Sequence, residues 1–451
     1  MDSRIRQSVG PIYLVLCLLL GGSAQGIWAN MVLELIGVAI LAWAAIGPNE
    51  EPAFPSQRPL LFIALLAVAL VAIQLIPLPS AVWTHLAGRG VIADDFRGAG
   101  LALPALPLSL APYRSFDALL GLIPPLALFC AIARMSAYRP SWLVAALTAG
   151  TIAGILVGAL QVSSADFATS RWYFYAESSF GIATGFFANG NHMGMLLVST
   201  LPFLAALLAS ARGSNRQRSS AIFLVLGCAA VLVLAGIALN RSLAAYGLAL
   251  PVLAASTLLL IPQRSNARPL VLIAAALLLA GALFALGKSN VGSGSEAATS
   301  VQTRQEMLRT TGKAIGDFMP WGSGLGSFRN VYHLYEDRAR VTNVYVIHAH
   351  NDYAELALET GVAGIILMIA FLGWWGRAVW IAWSYSEAGP YARAASIASA
   401  AILAHSIVDF PLSTAAIAAV FAMCLALLAE RRVPVARASD DLWPTRHRVL
   451  R

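Results

Sequence analysis

Twelve long apolar runs decide what this chain can fold into. They cover roughly residues 11–27, 31–47, 60–76, 116–133, 142–162, 193–211, 221–239, 243–261, 270–286, 356–382, 394–408 and 412–429. A run of about 17–25 residues is long enough to cross a bilayer. Only helices and closed barrels satisfy their backbone in lipid, and barrel strands would alternate in polarity, which these runs do not. The expectation is an all-α polytopic membrane protein with about 12 transmembrane helices. Charge agrees: 12% of the 451 residues are charged, against about 25% in soluble chains. Arg4, Arg6, an apolar stretch and Gly21-Gly22-Ser23-Ala24 imitate a signal peptide. The stretch continues to Trp28 and eleven runs follow, so an uncleaved first helix is expected.

Basic residues orient the chain. Arg134 and Arg139, then Arg212, Arg216 and Arg218, then Arg264 and Arg268, then Arg377 and Arg393 fall in alternate loops. Arg431, Arg432, Arg437, Arg446, Arg448 and Arg451 share their side with Arg4 and Arg6. The positive-inside rule makes that side cytoplasmic, with both termini on it; Glu50, Glu51 and Arg58 are a weak exception. The net charge of +8 is therefore topology and not a nucleic-acid surface. Cys17, Cys130, Cys228 and Cys424 all lie in apolar runs, as buried structural thiols do. The expected organisation is 1–288 with nine spans, an outer loop at 289–355, three spans at 356–430 and a cytoplasmic basic tail at 431–451.

Three outward segments are long: 77–115, rich in Pro and Leu; 163–191, rich in aromatics; and 289–351. Loops beyond about 12–15 residues usually have a purpose. The aromatics suit an interfacial belt or stacking on sugar rings. Within the last segment Thr303-Arg304-Gln305-Glu306 has capping-box form, apolar residues follow at helical spacing, and Pro320 ends the pattern. Gly322, Gly324 and Gly326 come next; no strand precedes them, so they suit close backbone approach better than dinucleotide binding. Asp352-Tyr353-Ala354-Glu355 predicts a second cap, opening the tenth span.

Three residues could carry chemistry. Arg241 interrupts the apolar stretch 221–261 on the outer side, where the charge bias does not favour it. Snorkelling to the interface explains it, and so does a bound anion. Arg304 falls in the first turn of the predicted loop helix; it is a solvated cation or part of an oxyanion site. His350 sits where a polar cluster runs into the tenth span. His348-Ala349-His350-Asn351-Asp352 could ligate a metal, but Tyr353 stands where metallohydrolases continue with histidine. A structural histidine and a general base remain the other readings. Two arginines and a histidine on the outer face suit one reaction: the arginines hold a diphosphate leaving group while the histidine deprotonates an attacking hydroxyl.

In this order the motifs resemble the O-antigen ligase and polymerase superfamily of bacterial inner-membrane glycosyltransferases. Asn240-Arg241-Ser242 is similar to its Ser-Arg-Gly/Ala step. Arg304 with Met319-Pro320-Trp321-Gly322-Ser323-Gly324-Leu325-Gly326-Ser327-Phe328 is similar to its glycine-rich segment. His350-Asn351-Asp352-Tyr353 with Glu359-Thr360-Gly361 is similar to its His-Asn…Glu-x-Gly signature. The resemblance implies a metal-independent, inverting transfer with no cofactor. Arg241 and Arg304 would bind the diphosphate of an undecaprenyl-diphosphate-linked glycan, and His350 would be the base. The acceptor would be lipid A-core, for a ligase, or a second lipid-linked glycan, for an O-antigen or exopolysaccharide polymerase. Asn189-Gly190-Asn191-His192 stands where many relatives have Asn-Arg-Asn-His, which weakens the role of this segment. Asn189 and His192, with Asn351 and Tyr353, are the candidate glycan or acceptor contacts. The rival class is a secondary transporter or flippase; it expects internal repeats and interrupted spans, and the sequence offers neither.

Overall fold

The computed structural model describes residues 3–23, 28–46, 57–134, 139–211, 216–261, 267–288, 296–341, 345–385 and 388–429. The basic tail, Arg212, Arg264, Glu50 and Glu51 lie outside them. The helices are α1 (Ser3–Leu20), α2 (Trp28–Ile46), α3 (Arg58–Gln74), α4 (Ser80–Trp83), α5 (Gly90–Gly98), α6 (Pro112–Gly121), α7 (Ile123–Arg134), α8 (Pro140–Val162) and α9 (Gly190–Ala211). After them come α10 (Arg216–Asn240), α11 (Leu243–Thr257), α12 (Ala267–Lys288), α13 (Glu296–Phe318), α14 (Phe328–Tyr335), α15 (Asp352–Ser384), α16 (Pro390–His405) and α17 (Ala415–Ala429). Two-residue strands, Pro77–Leu78 and Leu106–Pro107, pair antiparallel. The chain is an all-α integral membrane protein: among the described residues six helices are long and apolar enough to cross a bilayer, and shorter apolar helices accompany them.

Each of the twelve apolar runs contains helix, with shifted ends. The first stops at Leu20, before Gly21-Gly22, and does not reach residue 27. The run at 116–133 is shared by α6 and α7. The last begins at Ala415, because Pro411–Ser413 forms a 3-10 turn. Helices α9 and α17 are buried on nearly every side and form the centre, as helices apolar all round must. Around them pack α1, α7, α8, α10, α11 and α16.

The outer loop folds differently from the expectation at both caps. Helix α13 starts at Glu296, so Thr303 lies inside it and does not cap it, and Arg304 is not in the first turn. Helix α15 is capped by Asn351, one residue before the expected Asp352; the Asn351 side chain accepts from the Ala354 N–H at 2.9 Å. A small apolar core of Met307, Ala314, Phe318, Phe328, Val331, Tyr332, Val346, Ala349 and Leu358 binds α13, α14, the 345–350 segment and the head of α15 together.

The glycine-rich segment is backbone packing. Helix α15 breaks at Gly361 (φ 60, ψ −150), a conformation essentially confined to glycine, and a Cβ there would overlap the Pro320 carbonyl oxygen. The Gly324 N–H donates to the Glu359 carbonyl at 2.8 Å, Ser323 N–H to Leu358 at 2.9 Å and Val362 N–H to Pro320 at 2.9 Å. Gln74 ties in α3, donating to the Glu359 carbonyl at 3.0 Å and accepting from Leu325 N–H at 2.9 Å. The Leu110 N–H adds the 77–115 segment, donating to the Ser323 carbonyl at 2.8 Å.

Candidate functional site

Five connections meet at one end of the bundle. The Ala416 N–H donates to the Gly21 carbonyl at 3.0 Å, and Ala188 N–H to that of Gly22 at 3.2 Å. Asn240, fully buried, donates its amide to the Ala183 and Gly190 carbonyls at 2.7 and 2.8 Å. Asp352 N–H donates to the Ser406 carbonyl at 2.9 Å. So the junctions α8–α9, α10–α11 and α16–α17, the end of α1 and the start of α15 form one polar floor.

His350 stands on that floor. Its Nδ1–H donates to Asp409 Oδ1 at 3.0 Å, and its ring packs edge-on against Phe410 at 4.8 Å. The Asp409 side chain is fully buried and that of His350 is 27% exposed, so the pair has one sheltered end and one accessible end. Asp409 also accepts from the Phe410 N–H at 3.0 Å and from Asn191 Nδ2 at 2.6 Å; His405 Nε2 lies 3.8 Å away. Burial alone would raise the Asp409 carboxyl. The His350 hydrogen bond and the neighbouring imidazoles overcome it and hold the group well below the usual carboxylate range. An ionised carboxylate on Nδ1 fixes the tautomer that leaves Nε2 as the acceptor, which is the arrangement of a general base.

The loop before His350 is set by Glu355. Its carboxylate accepts from the Ala349 N–H and from His348 Nδ1, both at 2.9 Å. His348 stacks on the other side of the cluster, 4.2 Å from the Phe410 ring. Burial opposes a charge on His348, but Glu355 outweighs it and raises the imidazole above its ordinary value. The two histidines of the His-x-His motif therefore turn to different carboxylates.

Arg241 and His350 are the two non-glycine residues with positive φ among the described residues, at 57° and 49°. Such positions cost about 1–3 kcal/mol each and persist where the surroundings enforce them. Asn240 enforces the first from one side. Ser242 does so from the other: it caps α11, accepting from Ala245 N–H at 3.2 Å, and donates to Asn191 Oδ1 at 2.7 Å. Arg241 is exposed, and among the described residues it has no hydrogen bond or ion pair. Arg304 is half-buried on α13 and close enough to His405 for its charge to act there. A guanidinium without a carboxylate partner beside such a floor can take an anion.

Residues 203–369 match the family model described as O-antigen ligase. The chain carries an O-antigen ligase domain. The matched segment spans less than half of the chain. No curated protein matches the chain. The O-antigen ligase match contains Arg241, Arg304, His350 and Glu359; Asn189, Asn191, His192, His405 and Asp409 lie outside it.

The other candidate contacts have structural partners. Asn351 caps α15 and donates to the Ile407 carbonyl at 2.8 Å, and Tyr353 donates to that of Leu403 at 2.8 Å. Asn189 accepts from the Asn191 N–H at 2.8 Å. His192 is 2% exposed, walled by Phe187 and Phe410. Sequence reasoning missed Asp409 and Asn191. A signal existed for the first: Asp409 is the lone acid in the gap between two apolar runs, in Val408-Asp409-Phe410-Pro411.

Proposed function

We propose that this chain transfers a glycan from undecaprenyl diphosphate to an acceptor hydroxyl on the periplasmic face of a bacterial inner membrane. In this reading His350 Nε2 takes the proton of the acceptor hydroxyl, whose oxygen attacks the anomeric carbon. The bond from that carbon to the diphosphate breaks on the opposite face, inverting the centre. Arg241 and Arg304 hold the leaving diphosphate, supplying the charge compensation that a metal ion gives elsewhere. Asp409 keeps the His350 tautomer and balances the imidazolium. The observation that carries the reading is the Asp409–His350 pair beside two arginines that have no carboxylate partner among the described residues, all within or against the matched domain.

The topology proposed is twelve spans with both termini cytoplasmic, divided as 1–288, 289–355, 356–430 and 431–451. What supports it is the single polar floor, which gathers the ends that a twelve-span chain would send outward. Arg139 and Arg393 flank the opposite ends of α8 and α16. The acceptor is lipid A-core in the ligase reading and a second lipid-linked glycan in the polymerase reading.

The test replaces the wild type by His350→Ala in cells and weighs the glycans left on polyprenyl diphosphate. Removing a general base costs about 10²–10⁴ in rate, so the donor should accumulate. Single repeat units would mean a polymerase and long chains a ligase. A stably inserted His350→Ala that keeps more than about a tenth of the turnover would refute the base assignment. An unchanged donor pool would turn attention to transport.

A further inference from the structure

Arg241 and His350 are far apart in sequence, yet each strained backbone position is braced by a neighbour that reaches the same side chain. Ser242, next to Arg241, donates to Asn191 Oδ1 at 2.7 Å. Asn191 Nδ2 in turn donates at 2.6 Å to Asp409 Oδ2, and Asp409 Oδ1 holds His350 at 3.0 Å. Asn191 is itself fixed at the start of α9 by its N–H on Asn189 Oδ1. A primary amide suits this place: it accepts a hydroxyl proton at one end and donates to a carboxylate at the other. A carboxylate would repel Asp409, and a longer amide would overshoot both partners.

We propose that Asn191 is a positioning residue that couples the two halves of the site, holding the Arg241 segment through Ser242 and the His350 ring through Asp409. The inference rests on the glycan-transfer reading above. Its physical content is that occupancy of the arginine side and the aim of the base are set by one planar group.

The charged and titratable groups facing His350 and Asp409 are His192 from α9, His405 from α16 and Asp352 from α15; behind them, His348 faces His192, Glu355 faces His348 and Asp352, and Arg304 from α13 faces His405. None of these changes when Asn191 does. Removing the amide donor concentrates the Asp409 charge on His350, so the imidazolium holds its proton more tightly and the base is free only at higher pH.

The experiment uses the full-length protein in membranes, with their own lipid-linked glycan as donor, and inorganic pyrophosphate as the probe of the arginine side. Asn191→Ala should lower turnover about 10–100-fold, the usual cost of losing an outer-shell partner. It should also raise the acid limb of the pH profile by about 0.5–1 unit and weaken pyrophosphate inhibition at least about 3-fold. Asn191→Asp keeps the acceptor for Ser242 and sets a second carboxylate against Asp409, so it should raise the limb as well. A purely structural asparagine would lower the amount of protein and leave the limb where it was. The inference is overturned if the limb moves less than about 0.2 unit in whichever of the two variants inserts, or if Asn191→Ala leaves pyrophosphate inhibition unchanged. His350→Ala, run beside them, separates the cases. Full turnover in it refutes the base reading itself. A dead His350→Ala with wild-type Asn191 variants refutes only the coupling.

Discussion

Asp409→Asn is the most demanding perturbation of the proposed chemistry, because it changes one atom in a fully buried group. Asp409 Oδ1 accepts two donors, His350 Nδ1–H and the Phe410 N–H, each at 3.0 Å, while Oδ2 accepts from Asn191 at 2.6 Å. An amide has a single carbonyl oxygen. Placed toward His350, it leaves NH₂ facing the NH₂ of Asn191. Placed toward Asn191, it aims NH₂ at the Phe410 N–H and forces His350 to offer a lone pair at Nδ1, which puts the proton on Nε2 and removes the base. Either way the imidazolium formed in the reaction loses its counter-charge. The loss expected is that of a general base, about 10²–10⁴ in rate, or about 2.7–5.4 kcal/mol. The assay follows consumption of polyprenyl-diphosphate glycan in membranes, normalised to the protein inserted. Asn is neutral and the same shape, so insertion should survive. More than about a tenth of wild-type turnover in Asp409→Asn would show that His350 does not work through this carboxylate.

Arg241→Lys and Arg304→Lys should each weaken inhibition by inorganic pyrophosphate about tenfold, since lysine lacks the planar fork; unchanged inhibition would remove that arginine from the diphosphate site. Gly361→Ala should lower the unfolding midpoint of the detergent-solubilised protein, because any Cβ meets backbone there and the strain exceeds the usual 1–3 kcal/mol or so. A midpoint unmoved by the change would mean that the break in α15 is soft. Glu355→Gln should destabilise at low pH and not at high pH. The raised imidazole of His348 contributes stability below its unfolded value, lost as pH rises through the folded one. Unfolding midpoints at pH 5.5 and 8.5 (about a unit or more either side of an ordinary histidine) test the sign, and a loss confined to pH 8.5 contradicts it.

The helices and the two ends of the proposed site were legible in the sequence for physical reasons. Length and apolarity announce a bilayer helix whatever its neighbours are. Arg241 and His350 were visible because a cation or an imidazole at the edge of such a helix needs an explanation. Asp409 was not, since an acid at the end of an apolar run also reads as a simple span end; its meaning arises only when it meets His350, 59 residues away in sequence. Asn191 was quoted within a motif, but its two bonds join α9 to Ser242 and to Asp409, and no periodicity encodes them. Thr303 misled for the opposite reason. Its capping pattern is local and real, yet α13 begins at Glu296 and carries Thr303 in its interior. Asn351 and Tyr353 were legible as polar groups at a span end, but their partners at Ala354, Ile407 and Leu403 were not.

The break at Gly361 has a mechanical consequence. Pro320, Ser323 and Gly324 are pinned to α15 around it, Gln74 bolts on α3, and Ser323 holds Leu110 of the 77–115 segment. These pieces form one rigid lintel across α15. No single loop of it can lift without breaking several backbone hydrogen bonds together. In the proposed reaction a bulky lipid-linked substrate would have to pass beside these pieces or displace them together.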